Sequence, residues 1–416
     1  MKSVSNSDRH SISPIRLDRR VLIIQARMKQ YRVPFFCQLH ESLKRDGVHL
    51  TVAYSDPVDK ESGTGDSAEL PGNVGLKVPG YWFGRGRLLY QPLIRRILSS
   101  DLVIVEQANK HVLNWLLMAA SRLGAKKTAF WGHGRNRQQS AQTVTEQLKK
   151  FTLHSANWWF AYTDGVARYV SGAGFPAGKI TAVRNSIDLC EFRRLIAEVD
   201  EQHCTALRDS LGIPLNALVA LYCGGFYPGK RIDFLLEAAA QVHTSLPEFH
   251  LIIVGEGQKI KSVKSAADQY GWVHYAGPQF RQKKAQLFRL AQIFLMPAAV
   301  GLSILDSFAA GLPFLTTSIE NHGPEIEYLQ DGVNGLIVRP DTRHYAEAII
   351  NVLRTPGLLR RLRQGALESS HHYSIEAMVH NFHSGVVKAL DYKPEDIGSA
   401  NPESTWASSK PCERSY

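Results

Sequence analysis

The segment from Gly301 to Glu327 carries the clearest chemistry in the chain. Apolar residues recur at helical spacing in its first part, so the pattern predicts a buried helix over Ser303 to Ala310. Asp306 lies inside this helix, and a buried carboxylate is costly unless hydrogen-bond donors or a counter-charge meet it. The hydroxyls of a ligand would supply such donors. The alternative is a core helix in which Asp306 pairs with an Arg or Lys, and both interpretations stay open here.

Two loops in the first half of the chain also place polar groups after strand-like runs. The loop after residues 21–25 offers hydrogen-bond donors and an aromatic face, which suit a sugar or phosphate on an acceptor. Its residues are Arg27, Lys29, Gln30, Tyr31 and Arg32. His133 follows another strand-like run between two glycines, so it has little to pack against and is predicted to project into a cleft. The alternative is a turn histidine with a structural hydrogen bond.

Strand-like and helix-like segments alternate through both halves of the chain. The strand candidates are continuous apolar runs, at 21–25, 48–54, 102–106, 127–131, 158–163 and 180–183 in the first half, and at 217–225, 249–255, 272–277, 293–297, 314–317 and 335–338 in the second. Such runs, each followed by a helix-length segment, predict parallel sheets covered on both faces. We therefore predict an α/β protein of two facing, doubly wound, Rossmann-like domains with a ligand cleft between the carboxyl ends of their strands.

The chain of 416 residues suits two domains, because a domain usually has ~100 to 200 residues. We expect one domain over residues 20–190 and a second over 191–370. A C-terminal helix over 371–390 is expected to pack back on the first domain. Residues 1–19 and 391–416 lack apolar periodicity, so they are predicted to be a disordered leader and a disordered tail.

Composition limits the class of protein. Hydrophobic residues make up 44% and charged residues 21% of the chain, which excludes general disorder. The net charge of +11 implies attraction to polyanions, yet no zinc finger, stacking motif or helix-turn-helix supports nucleic-acid binding. Five widely spaced cysteines are typical of reduced thiols, and no run reaches the ~20 apolar residues of a membrane span. We expect a cytoplasmic protein.

The order of the glycine motifs in the second half resembles the donor domain of glycosyltransferase family 4. The motifs are CGGFYPGKRIDFLLEA at 223–238, IIVGEG, WVHYAGPQF, GLSILDSFAAGLPFLTT and DGVNGLIV. QARMKQYRVPFF, FWGHG and AYTDGVARYVSGAGFPAGKITAVRNSID in the first half are similar to the acceptor domain and interdomain hinge of that family. The resemblance covers most of residues 20–390. It implies the two-domain fold called GT-B and a retaining, nucleotide-sugar-dependent glycosyltransferase of the hexosyltransferase type.

The resemblance also implies roles for individual residues. Lys230 matches the lysine that binds the diphosphate, and His133 lies where the family places a histidine against the donor sugar or its phosphate. Gly301, Leu302 and Ser303 match the helix start whose N–H groups bind phosphate, and Asp306 would accept hydrogen bonds from ribose. The other residues expected to bind the donor are Gly224, Gly225, Pro278, Gln279 and Phe280, with Phe280 either along the base or in ordinary packing.

Two positions depart from the family pattern. Gly225 stands where most members carry an arginine, and Arg231 is predicted to replace that charge. Ala298 stands where the family has the first of two glutamates eight positions apart, so the contact near the transferred sugar is assigned to the polar run of Glu320, Asn321, His322 and Glu325. Arg135 and Arg137 extend the positive cluster near His133.

The predicted reaction moves a sugar from a UDP- or GDP-linked donor to a glycan or lipid-linked acceptor, in surface polysaccharide biosynthesis. Lys230, Arg231 and the N–H groups near Ser303 would stabilise the departing diphosphate in a front-side displacement. No Asp-x-Asp or zinc-ligand spacing occurs, so we predict no required metal and no cofactor, the nucleotide-sugar being a co-substrate. The alternatives are a GT-B sugar-nucleotide epimerase and a non-catalytic nucleotide-sugar-binding protein.

The stretch at 81–98, YWFGRGRLLYQPLIRRIL, suggests a membrane partner. Aromatic residues and leucines alternate there with Arg85, Arg87, Arg95 and Arg96, and no acidic residue is present. Such a mixture can lie in the headgroup layer of an anionic membrane. We therefore predict peripheral attachment to the inner face of the plasma membrane. The alternative is that the leucines are core residues and the arginines are solvated.

Overall fold

A computed structural model describes residues 18–56, 67–84, 87–108, 110–134 and 152–392. The predicted leader and tail lie almost entirely outside these described residues. Arg85, Arg135 and Arg137 also lie outside them.

The first part of the described chain alternates strands and helices. It contains β1 (Arg19–Arg27), α1 (Val33–Lys44), β2 (Val48–Ser55), β3 (Gly75–Lys77), β4 (Tyr81–Phe83), β5 (Leu88–Tyr90), α2 (Ile94–Leu98), β6 (Leu102–Glu106), α3 (Val112–Arg122), β7 (Lys127–Gly132), β8 (Trp158–Ala161), α4 (Asp164–Gly172) and β9 (Ile180–Ala182). Seven of the strands form one parallel sheet in the order β3-β2-β1-β6-β7-β8-β9.

The second part repeats this scheme. It contains α5 (Cys190–Ala197), α6 (Glu201–Leu211), β10 (Leu218–Cys223), α7 (Ile232–Ser245), β11 (Phe249–Val254), α8 (Ile260–Gln269), β12 (Val273–Gly277), α9 (Arg281–Leu290), β13 (Ile293–Leu295), α10 (Ser303–Ala309), β14 (Phe314–Thr317), β15 (Gly335–Val338), α11 (Thr342–Arg354), α12 (Pro356–His372) and α13 (Ile375–Asp391). Six parallel strands form its sheet in the order β12-β11-β10-β13-β14-β15. The predicted α/β fold of two doubly wound domains is confirmed.

Both faces of the first sheet are covered, as the continuous apolar strands predict. Successive residues of a strand point to opposite faces. Val21 and Ile23 of β1 pack in a core with α1 and α13, whereas Leu22 and Ile24 pack in a second core with α2, α3 and α4. The last helix, α13, therefore completes the core of the first domain although it follows the second domain in sequence.

The segment between β3 and α2 differs from a continuous amphipathic stretch. Its residues form an antiparallel hairpin of β4 and β5 followed by the short helix α2. Leu89, Leu93 and Ile97 are buried, so part of the apolar side is core, while Tyr81 and Phe83 are half exposed. Within the described residues, no helix combines the length and the apolarity that a membrane span needs.

Candidate active site

The strand orders place a switch point in each sheet. In the first sheet, β1 lies between β2 and β6, and in the second sheet β10 lies between β11 and β13. Ligands of doubly wound sheets bind beyond the carboxyl ends of the strands at such points. The two domains meet near these ends, because Asn185 Nδ2 donates to Glu325 Oε1 at 2.7 Å and the N–H of Gly165 donates to Glu327 Oε2 at 2.6 Å.

Lys230 lies after β10, at the switch point of the second domain. It ends a 3₁₀ turn over Pro228–Lys230 and is only 6% exposed. Its Nζ donates to the carbonyl of Ala299 and lies 3.3 Å from Met296 Sδ. Burial lowers the pKa of Lys230 to about 8, although the charge of Glu325 opposes the shift. A buried ammonium whose acceptors are one carbonyl and a thioether is suited to exchange them for a phosphate oxygen.

Backbone strain concentrates around Lys230. Arg231 and Ala299 have positive φ angles of 52° and 45°, a region that costs non-glycine residues of order 1–3 kcal/mol each. Gly255 has a φ of +133°, and a Cβ there would lie 2.0 Å from the carbonyl oxygen of Gly224. This contact explains the glycine at 255, which lets the residue after β11 pack closely against the residue after β10, whereas a Cβ on Gly225 would lie 3.2 Å from the ring of Tyr227. The Arg231 guanidinium lies 4.1 Å from the ring centroid of Phe234, and its predicted role as a second diphosphate cation stays a prediction.

The predicted phosphate-binding segment follows β13. Among the described residues, and apart from the two chain neighbours of Gly301, no heavy atom lies within 4 Å of the position that a Cβ on Gly301 would take, so the space over this backbone is open. Leu302 caps α10 and Ser303 begins it, with Ser303 Oγ 3.4 Å from Met296 Sδ. Ala298, in place of the first glutamate of the family, is completely buried in the core.

Asp306 has a cationic partner. Lys284 Nζ on α9 donates to Asp306 Oδ1 at 2.7 Å, and the aromatic ring of Phe192 lies 4.7 Å from the same ammonium. Burial is the largest single influence and lowers the pKa of Lys284, but the charges of Asp306 and Cys223 and the hydrogen bond to Asp306 together outweigh it, so the net shift is upward. The structural alternative for Asp306, pairing with a lysine or arginine, is therefore present in the molecule. Its contact with a ribose stays a prediction.

His322 is held by the backbone on both sides of its ring. The N–H of Val300 donates to Nδ1 at 3.1 Å, so Nε2 carries the proton and donates to the carbonyl of Thr317 at 2.7 Å. A direct contact with a donor sugar would have to replace one of these two bonds. In this arrangement His322 fixes the loop that precedes Gly301. Asn321, next to it, is exposed.

Glu325 lies where the two domains meet. Its side chain is 5% exposed and accepts a hydrogen bond from Asn185 in the interdomain connection. Burial raises the pKa of Glu325, and the charges of Arg32 from the first domain and Lys230 from the second lower it. One carboxylate thus interacts with a cation from each domain, which is the arrangement expected at the centre of a cleft.

Phe280 stands at the start of α9, beyond the end of β12. Its side chain is 71% exposed, so the alternative of ordinary packing is wrong. Pro278 is also exposed, and Gln279 Nε2 donates to the carbonyl of Ala276. An exposed aromatic at the mouth of the second-domain site is available for stacking on a base, which stays a prediction.

The residues predicted to bind the acceptor surround a cavity of about 220 Å³ in the first domain. Arg27, Tyr31 and Arg32 line it, whereas Gln30 is exposed at its side. His133 follows β7 and is exposed, with its ring centroid 4.2 Å from that of Tyr162, another lining residue. The predicted projection of His133 from the strand end thus places it against the wall of this cavity.

Six polar or aromatic residues that line the cavity were not predicted as site residues from the sequence. They are Gln25, Asp56, Trp82, Glu106, Lys110 and Tyr162. Asp56, Glu106 and Tyr162 end or directly follow a strand of the parallel sheet, and that position was a usable signal because strand ends converge at the switch point. Trp82 could not be predicted from this signal, because it lies in the hairpin of β4 and β5.

Comparison with known proteins agrees with this geometry. Residues 217–355, most of the second domain, match the family described as Glycosyl transferases group 1. The chain is 29% identical over 254 residues to the D-inositol 3-phosphate glycosyltransferase of Mycolicibacterium paratuberculosis, a match covering 58% of this chain and 54% of that protein. The chain therefore spans about half the length of that relative. A putative glycosyltransferase of Bacillus subtilis, EpsD, is 25% identical over 285 residues, covering 64% of this chain and 72% of the relative.

The fold has solved counterparts. The structure of Anabaena HepE in complex with UDP and glucose aligns with a TM-score of 0.64 at 16% identity, covering 89% of this chain and 100% of that one. The predicted GT-B arrangement of the fold is thus confirmed, and residues 217–355 are similar to the glycosyl transferases group 1 family.

Proposed function

We propose that the protein is a retaining glycosyltransferase of family 4 that moves a hexose from a UDP- or GDP-linked donor to a glycan or lipid-linked acceptor in surface polysaccharide biosynthesis. The observation that carries the proposal is Lys230, a buried ammonium at the switch point of a glycosyltransferase group 1 domain. The bound nucleotide-sugars of the structural counterpart HepE support a similar donor.

The proposed reaction follows from the groups at the cleft. The bond from the anomeric carbon to the diphosphate oxygen breaks, and the diphosphate leaves with the electron pair. The acceptor hydroxyl forms the new bond on the same face and passes its proton to the departing phosphate oxygen. Lys230, Arg231 and the N–H groups near Ser303 stabilise the developing charge. No metal or cofactor is assigned a role.

The test is a panel of UDP- and GDP-sugars, assayed for release of nucleoside diphosphate with and without a lipid-linked acceptor. Acceptor-dependent release, with the anomeric configuration of the product retained, is the expected result. Conversion of the donor sugar without release of diphosphate would support the epimerase instead. Binding of the donor without any turnover would support a nucleotide-sugar-binding protein.

The proposal includes attachment of the first domain to an anionic membrane. The membrane face is defined here by the exposed apolar side chains of Tyr81, Phe83, Leu88, Ile94 and Leu98, together with the arginines Arg87, Arg95 and Arg96. The helix α3, which packs beside β5, adds the exposed Trp115 and Leu116 to this side of the domain. Apolar side chains flanked by arginines favour the headgroup layer of an anionic bilayer.

Replacing both Arg95 and Arg96 by glutamine is expected to weaken binding to anionic liposomes by roughly 30-fold, because each basic residue near such a surface contributes about 1 kcal/mol. The measurement is co-sedimentation with neutral and with anionic vesicles at low and high salt. The matched control replaces Arg360 and Arg361, an exposed pair on α12 of the second domain. Equal losses in the two variants, or binding that ignores lipid charge, would contradict the membrane face.

A further inference from the structure

The cavity of the first domain has a charge pattern that its own side chains do not balance. It lies beyond the carboxyl ends of β1, β2 and β6, at the switch point of the first sheet. Arg32 is the most telling group, because it is only 4% exposed and lines the cavity. A buried guanidinium is costly unless acceptors meet its five N–H donors.

Arg32 lacks such acceptors among the described residues. Its guanidinium lies over the rings of Trp131, Tyr162 and Tyr31, at 4.6, 5.6 and 5.2 Å from their centroids. Its one side-chain hydrogen bond within the described part of the chain is a long contact of 4.0 Å with Met378 Sδ. Aromatic rings hold the flat guanidinium in place but leave its N–H edge available, which is how an arginine is presented to an anion.

Two lysines that line the cavity also lie against aromatic rings and not against carboxylates of the described residues. Lys29 and Lys110 each lie over an aromatic ring, at 5.7 Å from Tyr31 and 5.6 Å from Trp82. Within the described ranges, no carboxylate oxygen lies within 4.0 Å of the ammonium of either lysine, so neither forms an ion pair there. The cavity lining therefore carries four cations, because Arg27 lines it as well. Arg27, Lys29 and Arg32 come from the end of β1 and the loop after it, and Lys110 follows β6.

The acidic groups in and near the cavity neutralise these cations only in part, and Glu325, outside the lining, interacts with Arg32 as well as with Lys230. Asp56 is engaged by Lys77 at 2.9 Å. Glu106 lies 3.6 Å from His111 Nε2, and burial lowers the pKa of this histidine to about 4, so it is neutral near pH 7. Burial raises the pKa of Glu106, against the charges of Lys110, Lys29 and Arg32. Glu106 is thus a single carboxylate facing several cations, and it is able to accept a hydrogen bond from a hydroxyl.

We propose that this cavity binds a phosphate ester whose organic part carries hydroxyls. The phosphate lies between Arg32, Lys29 and Lys110, and Glu106 accepts a hydrogen bond from a hydroxyl of the same molecule. This inference rests on the proposed function, in which the molecule is the acceptor, and it specifies the chemical class of that acceptor. A phosphate with two negative charges matches the excess of cations, and the rings of Tyr31 and Trp82 provide faces for a sugar or polyol.

The same phosphate chemistry can come from a free phosphate ester or from a lipid-linked one. The hairpin offers a geometric reason to test both sources. Trp82 lines the cavity, while its neighbours Tyr81 and Phe83 on β4 point to the opposite side and are half exposed. An apolar tail leaving the cavity would therefore meet exposed aromatic side chains beside it.

The test is calorimetric binding of glycerol 1-phosphate and of inorganic phosphate to the full chain, with and without UDP. Arg32→Gln and Lys110→Met are each expected to lower the affinity for both ligands by about 10-fold or more, because charge-assisted hydrogen bonds are lost. Lys261→Met, at an exposed lysine of α8, is the matched control and is expected to change nothing. If Arg32→Gln does not fold, Lys110→Met tests the inference by itself, because Lys110 is exposed and its replacement is expected to leave the fold intact.

Glu106→Gln separates the two parts of the proposed ligand. It removes a negative charge, so binding of inorganic phosphate is expected to tighten, while the preference for glycerol 1-phosphate over inorganic phosphate is expected to fall. Equal affinities in the wild type, Arg32→Gln and Lys110→Met would overturn the inference. Phosphate binding that Lys230→Ala removes and Arg32→Gln leaves intact would overturn it as well, because the anion would then occupy the second domain.

A second arm identifies the source of the phosphate. Phosphatidylcholine vesicles carrying a polyprenyl phosphate are titrated with the protein, and glycerol 1-phosphate is added as competitor. Capture by these vesicles that depends on Arg32 and is reversed by glycerol 1-phosphate identifies a lipid-linked ligand, whereas binding of the soluble ester alone identifies a free one. If no nucleotide-sugar is turned over but Arg32-dependent phosphate binding persists, the proposed function fails while the cavity remains a phosphate site.

Discussion

Replacement of Lys230 by alanine is expected to lower the turnover of the nucleotide-sugar by roughly 100-fold or more, because one lost donor to a developing oxyanion has an effect of that size. The side chain is well placed for this role, since Nζ is buried at the switch point of the second sheet. Its present acceptor is the carbonyl of Ala299, a residue held at positive φ. A diphosphate that replaces this carbonyl would gain a cation that is already positioned and largely desolvated.

The measurement is kcat and KM for the donor, with Lys261→Ala as the control for loss of a positive charge elsewhere on the same domain. A thermal melt establishes that the variant is folded. If Lys230→Ala is folded and turns over the donor at the wild-type rate, Lys230 does not contact the leaving group. A change in KM alone would indicate that the lysine binds the donor without favouring the transition state.

The same lysine gives donor binding a pH dependence. The pKa of Lys230 is lowered from 10.5 to about 8, so its ammonium form is lost as pH rises through about 8. Affinity for UDP is expected to fall above that pH, and binding there is expected to take up a proton. For folding the sign is opposite, because between about 8 and 10.5 the unfolded chain binds more protons at this site than the native chain. The contribution of Lys230 to stability therefore rises with pH across that window.

Glu325→Gln tests the assignment of this pH dependence to Lys230. The charge of Glu325 raises the pKa of Lys230, so its removal is expected to shift the loss of UDP affinity to lower pH. Calorimetry at about pH 7 and about pH 9 is sufficient to detect the shift. An unchanged profile in both Lys230→Ala and Glu325→Gln would assign the dependence to another group.

Much of the fold was accessible from the sequence because the apolar runs of parallel strands are local signals. The runs at 102–106 and 314–317 coincide with β6 and β14, since these strands are buried on both faces. The run at 335–338 coincides with the edge strand β15, which is partly buried. The hairpin of β4 and β5 was missed for the opposite reason. Its strands have three residues each and alternate exposed with buried side chains, so no continuous run marks them.

The site was accessible only where a residue stands at the end of a strand or in a glycine motif. Lys230 and His133 were predicted in this way. The partner of Asp306 was not, because Lys284 lies 22 positions earlier on another helix and only the packing of α9 beside α10 brings the two charges together. Likewise, the excess of positive charge in the first-domain cavity depends on which cations form ion pairs with carboxylates. The positions of these residues in the sequence do not reveal those pairs.

Loss of Lys284 is expected to destabilise the fold by about 3 kcal/mol, the lower end of the cost of leaving one member of a buried ion pair without its partner. The lower end of this range applies because the side chains of Lys284 and Asp306 remain 23% and 13% exposed to solvent. Lys284→Met leaves the Asp306 carboxylate near the partly buried Cys223, whose thiol charge on ionisation interacts with both members of the pair. The measurement is the free energy of unfolding from urea titration.

A double-mutant cycle then decides between the two interpretations of Asp306. Asp306→Asn is expected to cost less than Lys284→Met, because the Lys284 ammonium keeps the rings of Phe192 and Phe288 at 4.7 and 5.6 Å. The double variant is expected to recover part of the lost stability, since neither charge is then left alone. Its affinity for UDP, compared with that of Lys284→Met alone, isolates the contact with the ribose. Weaker UDP binding in the double variant supports a ribose ligand, and unchanged binding leaves Asp306 as the structural partner of Lys284.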